Sequence, residues 1–189
     1  EALVARGKDV LGNFNGRDVG VQAFGNLWKV NDRYIIEYSL GGFNGNGTKI
    51  ADNNEAKDLA ARLVLHPLKG LNIGASWYDG YDKYGATTPE NHIRTRIGGE
   101  LRYIYKFVSL HAEYIEGNDN HIKRKGYYIQ AASYIYKRKI QLVARYDYYD
   151  PDKSTKNDAS VHYLSGINYY FNELTRLQVN VSNREEETN

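Results

Sequence analysis

Arg94, Arg96 and Arg102 are separated by even numbers of residues, so in an extended chain all three side chains leave the same face. A guanidinium keeps its charge and offers phosphate oxygens a planar fork of donors, so such a row is suited to holding or conducting an anion. Arg62, Arg145 and Arg176 fall on the polar parity of their own segments and complete a candidate pore-lining, anion-binding set. Charges arranged in this way set selectivity in anion pores. The same parity also carries Glu37, Asp58, Glu100, Glu113 and Asp147. Opposite charges on neighbouring strands can pair and line a solvated wall that selects nothing. The residues alone leave both readings open.

Other chemistry is weaker. His66, His92, His111, His121 and His162 lack metal-ligand spacing and read as solvated or wall histidines. The run Asn118-Asp119-Asn120-His121 lacks the full calcium-loop pattern. Gly42–Gly47 has no Lys-Ser/Thr ending, so it is no phosphate-binding P-loop; its glycines suit positive φ where a loop begins. Lys123, Arg124 and Lys125 make a basic tip that is solvated, contacts anionic lipopolysaccharide, or draws anions to a pore mouth. No serine sits in a nucleophile motif. No catalytic residue, metal or cofactor is expected, and the chain does not read as an enzyme.

The elements that must position these arginines are strands. Period-two segments run over Asp18–Gly25, Arg33–Phe43, Lys57–His66, Leu71–Asp79, Ile93–Tyr105, Phe107–Glu116, Tyr127–Tyr136, Ile140–Tyr149, Val161–Phe171 and Arg176–Asn183. Each is near the roughly 9–11 residues that a tilted strand needs to cross a bilayer. Residues 55–65 also suit an amphipathic helix by composition. The alternation of Leu59, Ala61, Leu63 and Leu65, with Pro67 and Gly70 beyond, favours a strand.

Connections alternate in length. Lys29–Arg33, His66–Gly70, Tyr105–Phe107, Lys137–Lys139 and Asn172–Thr175 are tight; Asn44–Ala56, Gly80–His92, Gly117–Lys125 and Pro151–Ser160 are long and polar. A barrel of the outer membrane sorts its connections in this way, with short turns on the periplasmic side and long loops outside. The chain has 18 tyrosines, and their positions favour a barrel over a soluble sandwich. Tyr103, Tyr105, Tyr169 and Phe171 lie on the apolar parity beside short turns. Trp77, Tyr114, Tyr127, Tyr146, Tyr148 and Tyr163 lie on it near the long loops, with aliphatic residues between the two rows. Two aromatic rows around an aliphatic band are the interfacial girdles of a membrane barrel.

Bulk composition agrees. Mean hydropathy of −0.67 and 25% charged residues rule out long apolar helical spans but not a barrel, whose strands need apolar residues only at alternate positions. The net charge of +2 is too small to suggest nucleic acid. There is no cysteine and hence no disulfide framework. The expected architecture is all-β: one antiparallel transmembrane β-barrel domain over residues 1–189 with about ten strands, incomplete at both ends, and with residues 1–15 unassigned.

Gly16-Arg17-Asp18-Val19-Gly20-Val21-Gln22, followed by Gly42-Phe43-Asn44-Gly45-Asn46-Gly47, resembles the phosphate-selective porin O/P family of outer-membrane proteins. Gly99-Glu100-Leu101-Arg102-Tyr103, His111-Ala112-Glu113-Tyr114 and Ile167-Asn168-Tyr169-Tyr170-Phe171-Asn172 are similar to it as well. The resemblance implies the C-terminal part of a sixteen-stranded porin in the outer membrane of a Gram-negative bacterium. It also implies a homotrimer, or a place in a larger envelope complex, amid outer-membrane lipid and lipopolysaccharide. The implied activity is passive diffusion of small solutes, anions such as phosphate among them. A non-conducting barrel subunit or scaffold of a larger outer-membrane complex is the alternative.

Overall fold

A computed structural model of the chain describes residues 18–45, 56–84 and 90–187. Ten strands follow one another: β1 (Gly20–Val30), β2 (Arg33–Phe43), β3 (Asp58–Leu68), β4 (Leu71–Tyr84), β5 (Glu90–Tyr105), β6 (Val108–Asp119), β7 (Ile122–Tyr136), β8 (Ile140–Asp150), β9 (Ser160–Tyr170) and β10 (Arg176–Glu186). They form a single antiparallel sheet in chain order, β1 to β10. Of the ambiguous 55–65 segment, residues 58–65 enter it within β3, and Glu55 lies outside the described residues. The two outermost strands are the most open. Every residue of β10 is exposed, and so is every residue of β1 except Gly25.

The tight connections are tight for a backbone reason. A two-residue hairpin of type I′ takes positive φ at both central residues, which Asn and Asp tolerate best among side-chain-bearing residues. Asn31 and Asp32 take φ of 47° and 59° between β1 and β2. Gly70 ends the β3–β4 turn at φ 84°. Its carbonyl accepts the Ile104 amide at 2.8 Å, and a Cβ there would run into the Ile104 carbonyl.

Three expected boundaries change. The connection expected at Gly117–Lys125 is not a long loop. Glu116 pairs with Lys125, Gly117 with Arg124 and Asn118 with Lys123, and the turn is only Asn120-His121, at φ 45° and 85°. Its polar residues are strand residues beyond the aliphatic band, where ladder hydrogen bonds continue without apolar side chains. Similarly, β4 and β5 pair out to Tyr84 and Glu90, into the Gly80–His92 stretch. β1 runs on to Val30 rather than stopping near Gly25.

Register places the two parities on two faces, with local shifts between Leu65 and Leu68 and between Tyr134 and Tyr136. Ile36 opposes Leu65, Leu65 opposes Ile73 and Ile73 opposes Leu101; on the other parity Ser39 opposes Arg62 and Arg62 opposes Ser76. The burial is inverted relative to a water-soluble domain. Few apolar side chains are covered (Val64, Ala132 and Ala159), whereas Asp58, Arg94, Arg96, Asp147, Asp150, Ser160 and Asn168 are buried. Leu40 and Ile97 are each 57% exposed and Val181 is 70% exposed. In water, each large aliphatic left out forgoes about 1.5–3 kcal/mol of burial. The tyrosines expected in rows do stack. Tyr127 lies 5.0 Å from Tyr148 between ring centroids, and Tyr146 lies 5.4 Å from Tyr163. Near the short turns Tyr169 packs edge-on to Phe171 at 4.9 Å. Among the described residues no helix is long and apolar enough to cross a membrane.

Candidate pore-lining face

All six arginines of the candidate set project from the polar face, but into different surroundings. Arg94 is buried where β3, β4 and β5 meet, at the long-loop end of the sheet. Its guanidinium donates to the Tyr78 hydroxyl at 2.9 Å and to the Gly45 carbonyl at 3.3 Å, and stands 3.5 Å from the Asp58 carboxylate. Tyr78 donates to Asp58, and the Tyr81 amide donates to the same carboxylate at 3.0 Å. The cluster has room because Gly80 opposes Arg94 on the neighbouring strand; a Cβ at Gly80 would fall within the Asp58 carboxylate.

Arg96 lies across Gly117, its cross-strand partner. A Cβ at Gly117 would stand 2.8 Å from Arg96 Cδ. Its guanidinium donates to Asp119 at 2.6 Å and to the Thr95 carbonyl at 2.7 Å. Arg124 donates to the other oxygen of Asp119. Arg124 of the basic tip is thereby turned onto the polar face, whereas Lys125 pairs with Asp150 at 3.7 Å.

Arg145 holds Asp147 with two hydrogen bonds, 2.8 Å from Nε and 2.6 Å from the terminal nitrogen. It donates to Gln130 at 3.2 Å and lies over the Tyr128 ring at 3.8 Å. Arg62 bridges Glu37, at 3.0 Å, and Glu100. Arg102 opposes Asn72 and His111, and Arg176 opposes Tyr170 near the β9–β10 turn. Both are exposed, and neither has a carboxylate partner among the described residues.

The face is therefore a charged wall in which Arg62, Arg94, Arg96 and Arg145 are held by carboxylates while Arg102 and Arg176 stand open. A wall of this composition can be lined by water and can neutralise a passing ion. The family model for phosphate-selective porin O and P matches residues 78–189.

The chain belongs to the phosphate-selective porin O and P family.

No curated protein and no solved structure matches the chain. Membership in this porin family places the chain among outer-membrane channels rather than enzymes. The matched stretch covers Arg94, Arg96, Arg102, Arg145 and Arg176 and leaves Arg62 outside it. Among the described residues, no group of three or more His, Cys, Asp or Glu side chains could hold a metal ion.

Sequence reading missed the anchors of this porin's wall. Tyr78 and Tyr128, with Gly80 and Gly117, decide where Arg94, Arg96 and Arg145 lie. A signal was present: each of these glycines occupies polar parity opposite an arginine, where a missing side chain leaves space for a long one. Without the strand register, neither glycine can be assigned to its arginine.

Proposed function

We propose that this sheet is part of the wall of a closed barrel in the outer membrane of a Gram-negative bacterium. The arginine-bearing face lines a water-filled lumen, and the tyrosine-flanked aliphatic face meets lipid. The inverted burial carries this reading: aliphatic residues are left out while aspartates and arginines are covered. Lipid takes up the aliphatic face, which water would not. In lipid both edge strands, β1 and β10, must be paired, with each other or with further strands, because an unpaired edge has no hydrogen-bond partners there.

The channel passes small solutes by passive diffusion, anions such as phosphate among them. Arg102 and Arg176 contact the anion, because their donors are not committed to carboxylates. Arg62, Arg94, Arg96 and Arg145 serve mainly as wall. At the long-loop rim, Lys123, Lys125 and Lys153 flank the Tyr114, Tyr127 and Tyr148 side chains and meet anionic headgroups such as those of lipopolysaccharide. The test is a reversal-potential measurement across planar bilayers with the full-length protein in a salt gradient. Anion-over-cation permeability is expected, and cation preference would overturn the phosphate assignment. Absence of conductance would favour a structural barrel instead.

A further inference from the structure

A recess of about 330 Å³ opens on the polar face across β2 to β7. Three carboxylates line it, Glu37, Glu100 and Glu113, against two guanidiniums, Arg62 and Arg102. Arg62 is consumed by Glu37 and Glu100 together. Glu113 pairs in register with Glu100 across β5 and β6, but the Glu100 carboxylate lies over Gly74 on β4 and is bonded to Arg62. Beside Glu113 is the Tyr128 hydroxyl, and among the described residues no cation pairs with it. Arg102 is likewise open and opposes His111. Register sets Arg102 and Glu113 on one diagonal of the β5–β6 pair, which corresponds to about 7–8 Å.

We infer that this recess is a transit subsite for zwitterions, solutes carrying both an ammonium and a carboxylate or phosphate group. The ammonium meets Glu113, and the anionic end meets the Arg102 fork. A simple anion meets Arg102 but also the Glu113 carboxylate beside it. A simple cation meets the reverse. A solute with both charges satisfies the two open side chains at once. The inference rests on the reading that this face lines the lumen, and it narrows the solute class.

Liposome swelling with the full-length protein tests it, using glycylglycine as the zwitterion and arabinose as a neutral solute of similar size. In the parent protein glycylglycine should enter faster than arabinose. Glu113→Gln and Arg102→Gln preserve side-chain shape or length. Each should lower the glycylglycine-to-arabinose ratio about threefold, the scale of one solvent-exposed ion contact. An unchanged ratio in both variants, with arabinose still entering, would overturn the inference and leave the channel reading intact. If the parent admits neither solute, the channel reading fails and takes the subsite with it.

Discussion

Arg145 and Asp147, two residues apart on β8, are joined through both carboxylate oxygens at 2.8 and 2.6 Å. The aspartate is only 1% exposed, and its arginine is sandwiched against the Tyr128 ring. His162 approaches the same carboxylate at 3.7 Å. This pair shows how the held arginines of the polar face are fixed, charge against charge with directed hydrogen bonds.

Removing the Asp147 charge leaves the mostly covered Arg145 guanidinium with Gln130 and the Tyr128 ring but no carboxylate, and breaking a pair of this kind costs about 3 kcal/mol. Asp147→Asn should therefore lower the urea midpoint of the folded protein in detergent micelles markedly. Arg102→Gln, at an open site, should leave it nearly unchanged. Equal midpoints for the two variants would show that the Arg145–Asp147 pair carries no special weight.

Selectivity should follow the open arginines, not the buried ones. Arg102→Ala and Arg176→Ala are each expected to reduce the anion-to-cation permeability ratio by about two- to fivefold, the scale of one solvent-exposed charge interaction. Arg96→Ala, whose guanidinium is buried and bonded to Asp119, should shift it less. Reversal potentials in a potassium chloride gradient measure all three. An Arg96 effect larger than that of Arg102 would reverse the assignment.

Gly80→Ala places a methyl group within the Asp58 carboxylate. The carboxylate must move away from Tyr78, Tyr81 and Arg94. Overpacking of this kind costs about 1–3 kcal/mol. The expected result is a lower unfolding temperature, with a smaller loss for Gly99→Ala, since a Cβ at Gly99 meets nothing within 4 Å.

The lipid-facing assignment can be read from tryptophan. The chain has two tryptophans, and Trp77 lies opposite Ile97 on the aliphatic face. In a Trp28→Phe background, brominated acyl chains should quench Trp77 emission strongly and aqueous iodide weakly. Strong iodide quenching with no bromine effect would place Trp77 in water and contradict the assignment.

Outside the strands, Asp152 organises the β8–β9 loop. Its carboxylate accepts from the Ser154 amide at 3.0 Å, the Ser154 hydroxyl at 2.6 Å and the Thr155 hydroxyl at 3.3 Å. These bonds, chiefly those from Ser154, hold its carboxyl below the usual aspartate range. A depressed folded-state value means that the loop's stabilisation is complete above the ordinary aspartate range, near pH 4, and is lost as pH falls through the lower folded value. Protection of the Ser154 amide, its exchange rate relative to the intrinsic rate at the same pH, should fall in that acidic window, and Asp152→Asn should abolish that fall. Protection that stays constant through the window in the parent protein would refute this account.

Much of this porin was written in its sequence. Period-two alternation sets the two faces because successive side chains on a strand point to opposite sides. Asn31-Asp32 and Gly70 mark hairpins because Asn, Asp and Gly tolerate positive φ. Loop lengths were less legible: Gly117–Lys125 reads as a loop, since hydrophobicity reports the lipid band and not the ladder, which continues beyond it. The arginines show the limit most clearly. Spacing alone puts Arg94, Arg96 and Arg102 on one face, and it cannot say which are free. Only the register between strands brings Gly80 and Gly117 opposite the first two and Asn72 and His111 opposite the third. Arg145 finds its carboxylate two residues along its own strand, but Arg62, Arg94 and Arg96 find theirs on other strands, and which strands lie within reach of a long side chain is decided by the tertiary structure and not by linear order.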